Sequence, residues 1–214
     1  MLTQKILKSY CQIGQDQFYN QPEKKLYKSL SRFENGLLLI SEFTDIEEIN
    51  DSLKSIKQMM PQYKTLILAP ATKDNIPPLI KMNEKLLALS HQIVLDLEKK
   101  SGKELAKIVN VAGRQRMLSQ RIELFYLLRD WGFNDDFYRD ELAESRQAFT
   151  EGLVYLNQYK HNTPEVEGLL AKADRSFNLF SHSLDNTHNA FLVSLTVNQL
   201  LKYMDTATYL YSKM

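Results

Sequence analysis

Apolar residues recur every three or four positions along almost the whole chain. Leu2, Ile6, Tyr10 and Ile13 form the first such stripe and predict a helix over Met1–Ile13 with one buried face. Pro22 suits the first turn of a second helix, whose stripe is Leu26, Leu30, Phe33, Leu37 and Ile40 and which ends near Ser41–Asp45. A shorter helix is expected from Asp45 to Met60, stopped by Pro61. Pro61, Pro70, Pro77 and Pro78 bracket a stretch in which Thr65–Ala69 reads as loop or frayed helix, because a single strand has no partner to pair with. Helical spacing resumes over Leu79–Lys100, meets a candidate break at Gly102, and continues from Glu104 to Trp131. If unbroken, the run from Leu79 to Asp130 would extend roughly 75–80 Å. After a turn with Asp135 or Asp136 as cap, helices are expected at 137–159, 164–185 and 189–213. Asn162 or Thr163 caps the middle one and Pro164 sits in its first turn. Strand spacing is almost absent. The predicted fold class is all-α.

The chain also repeats itself. A shift of 116 residues lays Met1-Leu2-Thr3-Gln4-Lys5-Ile6 on Met117-Leu118-Ser119-Gln120-Arg121-Ile122. The same register pairs Tyr10 with Tyr126, Leu26 with Leu142, Ser29 with Ser145, and Phe33, Gly36 and Leu37 with Phe149, Gly152 and Leu153. Leu53 falls on Leu169, and after a two-residue slip Leu86-Leu87 falls on Leu200-Leu201. Amphipathic helices share spacing but not a common Phe-x-x-Gly-Leu or Met-Leu-[Ser/Thr]-Gln-[Lys/Arg]-Ile, so duplication is the better explanation. The expected architecture is two four-helix bundles in tandem with long antiparallel helices, residues 1–100 and 101–214, divided within Lys100–Lys103.

Composition narrows the function classes. Hydrophobic residues make up 43% and charged residues 25% of 214, with 7 Gly and 6 Pro, which is a folded, loop-poor composition. A formal net charge of +1 supplies no broad basic field, so nucleic acid is not an expected partner. One cysteine, Cys11, rules out an internal disulfide, and it lies beside an apolar stripe where packing is its expected role. No apolar run reaches transmembrane length.

Positive charge is instead concentrated in Val109–Ile122, "VNVAGRQRMLSQRI". On a helix, Val109, Gly113, Arg116 and Gln120 form one stripe, and Asn110, Arg114, Met117 and Arg121 the next, beside an apolar stripe of Val111, Leu118, Ile122 and Phe125. Gly113 leaves its backbone open to a neighbouring helix or a ligand. Arg116 and Gln120 would then border that crevice, with guanidinium and amide donors suited to a planar anion. The alternative is that the arginines are solvated or paired with acids, Glu123 or Asp130 being the local candidates.

The run Asn110, Ala112, Gly113, Arg114, Gln115, Arg116, Met117, Leu118, Ser119, Gln120, Arg121 resembles the motif of the PilJ-type domain. That is the N-terminal sensory domain of type IV pili methyl-accepting chemotaxis transducers, related to the sensory domains of nitrate/nitrite sensor kinases. The resemblance implies an extracytoplasmic four-helix bundle and a periplasmic location. It implies a non-enzymatic sensor that binds a small anionic or polar ligand and signals to a membrane-bound protein, with a homodimer compatible with both. Arg116 takes the place of the anion-contacting arginine of the nitrate-sensing relatives. Gly113, Arg114, Ser119, Gln120 and Arg121 complete the expected ligand face, and Thr3, Gln4 and Lys5 are its first-repeat equivalents. The rival expectation is a structural or interaction bundle whose motif only packs helices or mediates dimerisation. The chain departs from the family in carrying no kinase or methyl-accepting signalling segment. It also lacks an "AGRQR" before Met1, for which an upstream segment with a signal peptide is the expected source.

Other chemistry is sparse. His91, His161, His182 and His188 do not form a metal motif, the closest pair being the His182–His188 stretch, and no Glu-x-x-His supports a di-iron bundle. No cofactor motif occurs, Gly102-Lys103 lacking the upstream glycine and strand of a phosphate loop, and no acid–base or nucleophile pair can be assembled. Phe177–Phe180 and Trp131 are candidates to line a pocket, and Gly36 and Gly152 to permit close helix packing.

Overall fold

The computed structural model describes residues 1–43, 46–186 and 189–214, with side chains described except at residues 43–45 and 182–188. Its described residues form eight α-helices, one 3₁₀ turn (Lys73–Asn75) and no strand: α1 (Leu2–Gly14), α2 (Pro22–Phe43), α3 (Glu47–Ile67), α4 (Ile76–Ser101), α5 (Glu104–Asp130), α6 (Asp136–Asn157), α7 (Pro164–Asn186) and α8 (Ala190–Tyr211). The fold is an all-α helical bundle. It divides into two compact units, Leu2–Gly102 and Lys103–Met214.

The break between α4 and α5 is made by backbone geometry. Gly102 adopts the left-handed conformation (φ 62°), with its N–H bonded to the Glu98 carbonyl, and Lys103 is extended (φ −95°, ψ 135°). A left-handed residue at a helix end is a glycine task, because a Cβ would clash with the carbonyl. The run from Leu79 to Asp130 is therefore two helices.

In the unit Leu2–Gly102, α1 packs on α2 and α4, and α3 packs on α4. Short connections make successive helices antiparallel, so α1 also runs antiparallel to α4. The level of α1 on α4 is set by Tyr10. Its hydroxyl donates to the Pro70 carbonyl (3.0 Å) and accepts from Thr72 N (3.2 Å) and Asn75 Nδ2 (3.0 Å).

One helix end differs from expectation. α3 does not stop at Met60 but runs through Pro61 to Ile67. An interior proline costs about 3 kcal/mol, and here Tyr63 and Ile67 beyond it are buried, each contributing roughly 1.5–3 kcal/mol. Burial outweighs the lost hydrogen bond, so Thr65–Ile67 is helix.

In the unit Lys103–Met214, α5 packs on α6 and α8, α7 on α8, and α6 on α7, closing a four-helix ring. Thr163 Oγ1 accepts from Val166 N to cap α7, while Asn162 bonds the Leu156 carbonyl through Nδ2 instead. Asn189 caps α8 by accepting from Leu192 N. Asp135 precedes α6 without a side-chain cap. Phe177 and Phe180 are core residues, Phe177 stacking on Phe149 at 4.4 Å between centroids. Trp131 meets Phe133 edge-on at the α5–α6 turn.

Tyr211 anchors the end of α8, donating from its hydroxyl to Asn162 Oδ1 at 2.6 Å. Burial, and then the neighbouring Tyr159, push its pKa from 10.0 up to about 12. The unfolded chain releases this proton first, so the stabilising contribution is intact below pH 10 and is lost as pH rises towards 12. Denaturant titrations across that range are expected to show stability falling, with a shallower fall in Tyr211→Phe.

Candidate functional site

The motif lies in the middle of α5, a 27-residue helix with Glu104 in its first turn and Arg129 in its last, each of the sign the helix dipole favours. Its first half is two-sided. Ile108, Ala112 and Gln115 are buried, whereas Lys107 and Arg114 are exposed. Its second half is not. Every residue from Leu118 to Leu128 is buried, including Ser119, Gln120, Arg121 and Glu123.

Among the expected ligand residues on α5, then, only Gly113, Arg114 and Arg116 remain reachable. Arg116 Nε pairs with Asp205 of α8, the two side chains being 29% and 44% exposed. Arg121 pairs with Glu141 of α6 and is far more enclosed, at 8% and 22%. Its guanidinium also lies 4.8 Å from the centre of the Phe125 ring, a favourable cation–π placement. Ser119 Oγ donates to the Arg116 carbonyl within the helix (3.0 Å). The acids of these two pairs, Asp205 and Glu141, are thus on other helices.

Gly113 has no neighbour: a Cβ built there meets nothing within 4 Å. The glycine that permits close approach is Gly152 on α6, where a Cβ would fall 1.7 Å from Gln115 Nε2. Gln115 is therefore a packing residue of the motif, which its place in the Arg-Gln-Arg run did not reveal. The only hint was the Phe-x-x-Gly-Leu phrase facing it. Gly36, which the 116-residue shift lays on Gly152, has an open surrounding.

Thr3, Gln4 and Lys5 lie on α1. Thr3 and Gln4 are buried and Lys5 is half-buried, and neither Thr3 Oγ1 nor the Gln4 amide has a hydrogen-bond partner among the described residues. α1 does not show the single buried stripe its sequence predicts, because Lys8, Ser9 and Gln12 are buried too. Cys11 is fully buried and burial pushes its thiol well above its ordinary pKa, so it is no nucleophile. A depression of about 410 Å³ between α2 and α3, lined by Ser41, Asn50, Leu53, Lys54, Lys57 and Gln58, contains none of the motif residues. Among the described residues no three His, Cys, Asp or Glu side chains cluster as metal ligands, and His188 lies outside them. No described helix is long and apolar enough to cross a membrane.

Residues 100–189, which contain the whole motif and most of the second unit, match the family model for the type IV pili methyl-accepting chemotaxis transducer N-terminal domain, PilJ. This stretch belongs to the PilJ family. No curated protein and no solved structure matches the chain. The matched domain is that of chemotaxis transducers, which supports a sensory or signalling role for this stretch.

Proposed function

We propose that the protein is a non-enzymatic, periplasmic sensory module in which a small anion competes with Asp205 for Arg116. We further propose that it consists of two PilJ-type repeats, 1–100 and 101–214. The second proposal is supported by burial: Tyr10 and Tyr126, Leu26 and Leu142, Ser29 and Ser145, and Phe33 and Phe149 are core residues of both units.

The observation that carries the sensory reading is the Arg116–Asp205 pair. It joins α5 to α8, and although the contacting Nε and Oδ1 are covered, both side chains are partly exposed. An exposed ion pair is worth only about 0–1 kcal/mol, so a bound oxyanion or carboxylate can replace Asp205 at little cost. Release of Asp205 frees α8 to shift against α5, and displacements of roughly 1–2 Å between packed helices are enough to signal. Arg114 and the open backbone at Gly113 flank the position the anion would take. A membrane-bound signalling protein would read the shift.

The test is thermal unfolding of the wild type, Asp205→Asn and Arg116→Ala with nitrate, sulfate, acetate and related anions. A ligand at 100 times its Kd adds about 2.7 kcal/mol of stability. We expect a shift for one class of anion, a roughly 2- to 5-fold tighter Kd in Asp205→Asn, and no shift in Arg116→Ala. Equal indifference of wild type and Asp205→Asn to every anion would remove the reading. The rival, a motif used only for helix packing, draws its support from the enclosed Arg121–Glu141 pair.

A further inference from the structure

Glu34 of α2 and Lys64 of α3 pair across the two helices at 2.8 Å. Further along the same two helices lies the depression of about 410 Å³. Its volume falls within the roughly 300–1,000 Å³ of small-molecule sites. A water molecule takes up about 30 Å³ in the liquid, so an inorganic oxyanion such as nitrate would leave most of the space unfilled.

The lining is polar over an apolar floor. Leu53 is buried, Ser41 is half-buried, and Asn50, Lys54, Lys57 and Gln58 are exposed. Lys54 and Lys57 stand one turn apart on α3, where residues three apart share a face and like charges repel. Neither lysine makes an ion pair among the described residues. The positions three and four away from Lys57 are Leu53, Lys54, Met60 and Pro61, none of them acidic. Lys54 has Asp51 three positions before it, and Asp51 likewise makes no ion pair among the described residues. None of the lining side chains is a carboxylate.

We propose that this depression binds a small organic acid carrying two carboxylates, one for each of Lys54 and Lys57. Two ammonium groups without a countercharge on one face select an anion of matching charge. The volume selects an organic one, whose carbon chain lies on Leu53 and along the lysine stems. The amides of Asn50 and Gln58 supply neutral donors to the carboxylate oxygens. The site belongs to the unit Leu2–Gly102 and Arg116 to the other, so the inference is independent of anion competition at Arg116.

The experiment is isothermal titration calorimetry of the full chain at low ionic strength with succinate, glutarate and phthalate. Uncharged succinamide is the control of like shape. We expect saturable binding of at least one diacid, none of succinamide, and weakening with added salt, which screens exposed charges. Lys54→Gln and Lys57→Gln should each weaken binding about 10-fold, the loss of one charge-assisted contact. Both lysines are exposed, so the variants keep the wild-type melting temperature and their loss of binding is not unfolding. No binding of any of the three diacids would overturn the proposal. So would equal binding by wild type and a Lys54→Gln, Lys57→Gln double variant. Diacid binding lost in Arg116→Ala but kept in the double variant would also overturn it, by moving the ligand to α5. Failure of anions to act through Arg116, with lysine-dependent diacid binding retained, would remove the sensory reading alone.

Discussion

Replacing Arg121 by alanine is expected to cost about 3 kcal/mol of stability, and replacing Arg116 less than about 1 kcal/mol. The two arginines look alike in sequence, yet their surroundings differ. Arg121 is 8% exposed and its partner Glu141 22%, so removing the guanidinium leaves a largely enclosed carboxylate without its countercharge and strips the Phe125 ring of its cation. The Arg116 and Asp205 side chains are 29% and 44% exposed, so solvent can reach both when the pair is broken. Urea denaturation of both variants measures the difference directly. A Glu141→Gln, Arg121→Ala double variant should recover part of the loss, because it removes the orphaned charge. If Arg116→Ala proves the costlier change, Arg116 is a structural residue and the ligand-competition reading loses its basis.

Asn83→Val is expected to stabilise the protein by roughly 2 kcal/mol. Asn83 lies in the apolar stripe of α4 between Leu79 and Leu86, is fully buried, and neither its Oδ1 nor its Nδ2 has a hydrogen-bond partner among the described residues. A buried unpaired amide costs about 1–3 kcal/mol, and valine restores an apolar surface of similar size. The offset that lays Leu86-Leu87 on Leu200-Leu201 also lays Asn83 on Val197, which is equally buried. The midpoint of denaturation should rise with an unchanged slope. A fall in stability would mean that the amide holds a buried polar partner.

Much of the fold was legible because helices announce themselves at short range. The spacing of Leu26, Leu30, Phe33 and Leu37 needs only neighbours three and four residues away, and all four are core residues. Gly102 was likewise readable as a break, since its left-handed backbone depends on its own lack of a Cβ. Pro61 misled for the complementary reason. Its local penalty was visible, while the buried seats of Tyr63 and Ile67 that outweigh it were not.

The candidate site was legible as a motif, and its partners were not. Asp205 and Glu141 come from helices far along the chain, and nothing in the spacing of Arg114, Arg116 and Arg121 indicates which acid each would meet. Gln115 and Gly152 show the same limit, because their contact is a property of the α5–α6 seam.

By itself the sequence determined the helical class, the break at Gly102 and the membership of residues 100–189 in the PilJ family, all of which rest on local spacing or contiguous residues. Only the tertiary structure decided which motif groups are still reachable. Packing closed Ser119, Gln120 and Arg121 away from solvent and left Arg116 half open, because burial depends on which helices lie alongside, and a helix carries no record of its neighbours in its own period.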